Sequence, residues 1–315
     1  MSGEVETYYD RPALKPSLYG WRVALYMFVG GMAGAAQILA TVADLLGVQG
    51  GAHVILTGRA LALAGAILGG VLLILDLHTK QRFYNMLRIF RATSPMSIGT
   101  YVLLGFGFFS LVALIAGLRD AHALAMACGV LASIAGWGMT AYTAALLATT
   151  STPLWAASPR ALGLGFASSS MATGAAVLNL SQWASGHLGI ATALARVAMV
   201  ALAVGLAASI LAGRSFRSAG VGAALAELPW GAVNAVGVQL LGALVPIALY
   251  LAEEAAPAAA GVLSPIASLL VLAGGMLMRA TVLLSGNESA RRPAEYFRLA
   301  RGNGAPHAGP GASRG

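Results

Sequence analysis

The chain has 315 residues, of which 58% are hydrophobic and only 10% charged, and its mean hydropathy is +0.78. Soluble domains carry roughly 25% charged residues, so a soluble enzyme, a disordered chain and a basic nucleic-acid binder are all excluded. The composition points to a polytopic membrane protein, an all-α bundle whose helices face lipid or one another.

In chain order, residues 1–17 are polar and read as an N-terminal tail without a signal-peptide pattern. Apolar stretches follow near 20–46, 59–77, 98–118, 122–148, 160–183, 190–213, 230–252 and 262–285. A spanning helix needs about 20 apolar residues, so each is read as a transmembrane helix. The fifth is diluted by Ser168, Ser169 and Ser170, and the seventh by Asn234, Gln239 and Pro246. The reading is an eight-transmembrane-helix bundle over 18–285, with 286–315 as an expected disordered tail. Gly30 with Gly34, and Gly65 with Gly69, have the small-xxx-small spacing that lets helices approach closely in lipid.

An even number of spans places both termini on one side of the membrane. Sixteen of the 19 Lys and Arg residues fall on that side, and only Arg59, Arg119 and Arg196 fall on the other. The positive-inside rule then puts the termini in the cytoplasm. The expected location is the bacterial cytoplasmic (inner) membrane.

Ionisable groups inside a span cost about 2.5–3.5 kcal/mol near its centre on insertion scales, so each is informative. Asp76 ends the second span and Arg279 lies within the eighth. Both belong toward the termini side, where they either form an ion pair or serve a polar cavity in proton handling. Glu227 precedes the seventh span and is a candidate cap; Glu253 and Glu254 read as solvated on the far side. Tyr26 in the first span and Tyr142 in the fourth fall in the termini-side half. A buried phenol needs a partner for its hydroxyl, and a quinone carbonyl is one such acceptor; interfacial anchoring is the plainer reading.

Bis-His ligation of two haems requires four histidines set within helices. His53, His122 and His187 fall at far-side helix ends or loops, His78 at a termini-side end and His307 in the tail. A haem is therefore not expected, and His53, His122 and His187 read as exposed loop residues. A single cysteine, Cys128, excludes a disulfide framework and a cluster ligated by this chain's own cysteines. No nucleotide, zinc or protease motif appears, and no metal is expected.

Residues 75–100 read LDLHTKQRFYNMLRIFRATSPMSIGT. This run resembles the signature of the NrfD-like family, the membrane subunits of polysulfide reductase and related complexes, whose pattern is close to LDLGRPxRFxNMLRxFxxTSPMSxGS. The glycine-rich YMFVGGMAGA at 26–35, the run from Tyr142 to Pro153, Leu154 and Trp155, and Gly274, Gly275 and Arg279 in the last span resemble three further family segments. The family's Gly-Arg-Pro is replaced by His78, Thr79 and Lys80, and the glycine after its Tyr-Thr by Ala144.

The resemblance implies a haem-free, quinone-reactive subunit using menaquinone or ubiquinone. Its implied partners are a ferredoxin-like iron–sulfur subunit and a molybdopterin catalytic subunit beyond it, with membrane lipid around it and no nucleic acid. It places Tyr26 and Tyr142 at the quinone pocket and the 78–96 loop toward the iron–sulfur subunit. Arg82, Arg88 and Arg91 are the expected docking residues, and Asp76 the proton-handling carboxylate. Family members around polysulfide reductase usually turn the loop side to the periplasm. The charge count favours a member serving a cytoplasmic redox partner. Two rival readings are an ion- or proton-translocating transporter-like bundle and a purely structural anchor without a quinone site.

Overall fold

In a computed structural model, eight helices are long and apolar enough to cross a membrane. They are α1 (Trp21–Leu45), α2 (Ala52–Asp76), α3 (Pro95–Leu118), α4 (His122–Ala148), α5 (Pro159–Ala184), α6 (Leu188–Ser218), α7 (Trp230–Ala255) and α8 (Ala260–Ala290). The structure describes residues 19–77, 94–150, 152–256 and 260–293, together with residues 84, 88, 90, 91, 295, 297 and 299. No strand occurs among the described residues.

Local chemistry sets the helix ends. Ser94 caps α3, its hydroxyl accepting from the Ser97 N–H at 3.5 Å, and Pro95 follows where a missing N–H costs nothing. Gly186, with φ +77°, closes the turn from α5 to α6 in the left-handed region that glycine enters without penalty.

The helices form two groups of four, α1–α4 and α5–α8, joined chiefly where α1 meets α5. Buried residues make up 72% of the apolar window of α1 and 61% of that of α5, against 28% for α3, so α1 and α5 are the inner helices. Small residues make this possible. A methyl group at Gly34 would strike the Gly136 carbonyl of α4 at 2.6 Å, and one at Gly174 of α5 would meet the Ala35 side chain at 2.6 Å. Gly65 of α2 lies directly against the Ala33 methyl. In lipid such close packing replaces the hydrophobic force as the source of helix association.

Several sequence expectations are corrected here. The second span begins at Ala52, so Arg59 is a buried helical residue, paired with Asp44 of α1 at 2.6 Å. Pro246 does not interrupt the seventh span. A π-helical stretch, Val233–Leu244, ends just before it and α7 continues to Ala255. Pro246 cannot donate a backbone bond, and the altered winding ahead of it takes up that loss. The side chain of Glu227 does not cap α7; its carboxylate takes Arg292 by two bonds of 3.0 and 2.7 Å. Glu253 is 4% exposed and not solvated, whereas Glu254 is exposed as expected and pairs with Arg196 at 2.6 Å. His53 is half-buried, bonded to Gln182 at 2.8 Å and stacked on His187 at 5.2 Å. The last helix runs to Ala290, five residues past the expected boundary.

Candidate functional site

Tyr26, Tyr142 and Asp76 come from α1, α4 and α2, yet all three line one cavity at the termini-side end of the first four helices. Tyr19, Arg22, Met96, Gly99 and Thr100 share its wall. Tyr26 is buried and Tyr142 half-buried. Neither phenol hydroxyl has a hydrogen-bond partner among the described residues, so both donors remain available to whatever enters. Glycine shapes one wall: a methyl group at Gly99 would overlap the ring and hydroxyl of Tyr142.

Asp76, the last residue of α2, is exposed at the mouth of the cavity. Arg22 stands beside it and donates to the Leu75 carbonyl at 3.2 Å. Tyr19 is a site residue that the sequence reading missed. Burial, and then the nearby Asp76 carboxylate, push its phenol above the ordinary tyrosine value, so Tyr19 stays a hydroxyl donor at neutral pH. The signal was there: 19, 22, 23 and 26 have the spacing of one helix face. A first span starting near 20 leaves Tyr19 just outside it, between the tail and the helix. Its ring packs on Trp155 at 6.1 Å, and Trp155 is anchored by donation to the Val282 carbonyl at 2.9 Å.

Arg279 does not pair with Asp76. It is fully buried, and no carboxylate pairs with it among the described residues. Its guanidinium donates to the Met27 carbonyl at 3.2 Å, the Gly275 carbonyl at 2.9 Å, Ser169 at 3.0 Å and Ser170 at 2.8 Å. The rings of Phe28 and Phe166 lie 5.6 and 5.8 Å from its central carbon. Gly31 makes the space, since a methyl group there would press on both Ser170 and the guanidinium. Two of the three serines that dilute the fifth span, Ser169 and Ser170, are thus acceptors for Arg279. The arginine ties α8 and α5 to the backbone of α1 one residue from Tyr26.

The docking residues divide. Arg88 and Arg91 are described and exposed, whereas Arg82 lies outside the described residues. The Arg91 N–H donates to the Ser97 hydroxyl at 3.0 Å, which fixes the end of the loop to the cap of α3. Tyr84 and Phe90 are 55% and 56% exposed on the same segment. Exposed aromatics among arginines have the composition of a protein interface.

The family model described as polysulphide reductase, NrfD matches residues 12–289 of the chain. The chain belongs to the NrfD family. A search of the curated proteins finds no match. NrfD proteins are membrane subunits of oxidoreductase complexes, in agreement with eight apolar spans and a basic, aromatic loop surface. The segments that carried the resemblance to NrfD now have physical roles. Ser94 caps α3, Ser97 holds the Arg91 N–H, Gly99 admits Tyr142, Gly31 admits Arg279, and Trp155 wedges a short helix, Pro153–Ala156, against α8.

Proposed function

We propose that this NrfD protein is the quinone-reactive subunit of its complex. It passes electrons between a docked iron–sulfur subunit and membrane menaquinone or ubiquinone, with a molybdopterin subunit as the catalytic partner. The observation that carries this is the convergence of two unpartnered phenols and one carboxylate on a single cavity.

Reduction of a quinone to a quinol takes two electrons and two protons. Tyr26 and Tyr142 donate hydrogen bonds to the quinone oxygens and hold the ring. Asp76, exposed at the mouth, exchanges protons with water and relays them inward. Arg88 and Arg91 set the register of the iron–sulfur subunit against the loop. The cavity has a volume of about 40 Å³, which is room for a water or two. A quinone ring therefore enters by displacing part of the wall, and the unbranched, 46% exposed Met96 is the side chain best able to move. In this reading the termini and the loop face the cytoplasm. An alkaline-phosphatase fusion at the C-terminus that proved active, with a cytoplasm-only fluorescent fusion dark, would reverse that orientation.

Tyr142→Phe tests the site. It keeps the ring and removes one hydroxyl, a loss of about 0.5–1.5 kcal/mol of net interaction. Quinone-linked turnover of the complex falls roughly threefold or more, while turnover with a soluble dye that bypasses this subunit stays unchanged. Full quinone-linked turnover in the variant would move the site elsewhere.

A further inference from the structure

The far-side ends of α6, α7 and α8 hold a polar cluster that the quinone reading does not use. Glu253 of α7 is 4% exposed, and its Oε2 is buried with no hydrogen-bond partner. Thr192 of α6 and Ser264 of α8 are the hydroxyls beside its carboxyl group. Arg196 is taken by Glu254 at 2.6 Å, and no cation pairs with Glu253 among the described residues.

Counting hydroxyl protons sharpens the picture. Asn179 of α5 donates through Nδ2 to the Ala191 carbonyl at 2.7 Å, which turns its Oδ1 toward α8. That oxygen accepts the one proton of Ser264 at 3.1 Å and the one proton of Ser268 at 2.9 Å. Tyr250 then donates to the Ser268 oxygen at 2.7 Å. The one proton of Thr192 has two acceptors in reach, the Leu188 carbonyl at 3.1 Å and Glu253 Oε1 at 3.5 Å, and the shorter bond is to Leu188. With its proton on the nearer acceptor, the Ser264 or Thr192 hydroxyl offers Glu253 a lone pair. The Thr192 oxygen stands 3.5 Å from Glu253 Oε1, beyond the 2.5–3.0 Å expected of an O–H···O bond. Two oxygens sharing an ion at about 2.4 Å stand about 3.4 Å apart when its ligands are octahedral, and sodium has nearly the ionic radius of calcium.

We propose that Glu253, Thr192 and Ser264 form a binding site for a small monovalent alkali cation, sodium foremost, at the far-side ends of α6, α7 and α8. The donors are all oxygen, which suits a hard cation. A single carboxylate balances a single positive charge; a divalent ion would leave one charge uncompensated in a buried place. The bound ion links three helices and satisfies the orphaned carboxylate oxygen. The site shares no residue with the quinone cavity and stands or falls separately from it.

The test is thermal melting of the purified protein in detergent at pH 8, in sodium, potassium or choline chloride at one ionic strength. A ligand that binds only the folded state raises Tm with its concentration. Sodium is expected to raise Tm in a saturable way where choline does not. In Glu253→Gln, whose amide is neutral, the sodium and choline curves are expected to coincide. Thr192→Ala and Ser264→Ala, which keep the carboxylate, are each expected to need roughly tenfold more sodium for the same shift. Equal melting of the wild type in sodium and choline overturns the site, as does a sodium shift that persists in Glu253→Gln. If Glu253→Gln does not fold, an unchanged sodium requirement in both hydroxyl variants overturns it equally.

Discussion

Gly99 on α3 lies flat against the phenol of Tyr142 on α4, with no room for a methyl group between them. The glycine is thus part of the pocket although it carries no chemistry. Its absent side chain lets the Tyr142 hydroxyl reach the cavity, and any larger residue must push the ring away.

Gly99→Ala is therefore expected to cost about 1–3 kcal/mol through overpacking and to reduce quinone-linked turnover at least as much as Tyr142→Phe. Gly105→Ala on the same helix is the control, because nothing lies within 4 Å of a methyl group there. Melting curves and turnover of the two variants check this. Equal behaviour of both would mean that the Tyr142 ring is not held by Gly99.

Asp76 and Arg279 should separate in their effects. Asp76 is exposed and joined to no arginine in an ion pair among the described residues, so Asp76→Asn should leave Tm unchanged. It should lower quinone-linked turnover in a pH-dependent way, because it removes a proton carrier. Arg279→Lys keeps the charge but cannot supply the planar fork that reaches Met27, Gly275, Ser169 and Ser170 together. The loss of Tm should be large, since buried acceptors are left unpaired at about 1–3 kcal/mol each. Stability intact in Arg279→Lys would show that those bonds do not hold α1, α5 and α8 together.

Reversing Arg88 and Arg91 together to Glu should release the iron–sulfur partner and leave the membrane subunit inserted. Both side chains are exposed, and rim charges govern encounter and register more than fold. Copurification in moderate salt reads the outcome. A complex that survives the double reversal would place docking elsewhere on the chain.

Glu227 and Arg292 give a pH prediction. The hydrogen bond and charge of Arg292 hold the Glu227 carboxyl below its ordinary value of 4.5. A depressed carboxyl contributes stability above its unfolded value and loses it as pH falls through the folded one. Glu227→Gln should therefore lower Tm slightly at neutral pH, with the difference closing below pH 4.5. The pair is exposed and screened, so high salt should also close the gap. A difference that is independent of pH and salt would exclude the ion pair as its cause.

Local pattern alone determined eight spans, because about 20 apolar residues in a row can satisfy their backbone in lipid only as a helix. It also singled out Tyr26, Asp76, Tyr142 and Arg279, since polar groups stand out against an apolar background. What it could not supply was which of them meet. Asp76 and Arg279 both lie toward the termini side, which suggested a pair, yet Arg279 found the Met27 carbonyl 252 positions away and the serines of α5. Tyr26, Asp76 and Tyr142 converge because α2 and α4 both pack against α1. That arrangement is set by glycines such as Gly34 and Gly65, whose value depends on the neighbour each one admits. Periodicity gives the face a residue occupies on its own helix. Only the packing of one helix on another decides what that face meets.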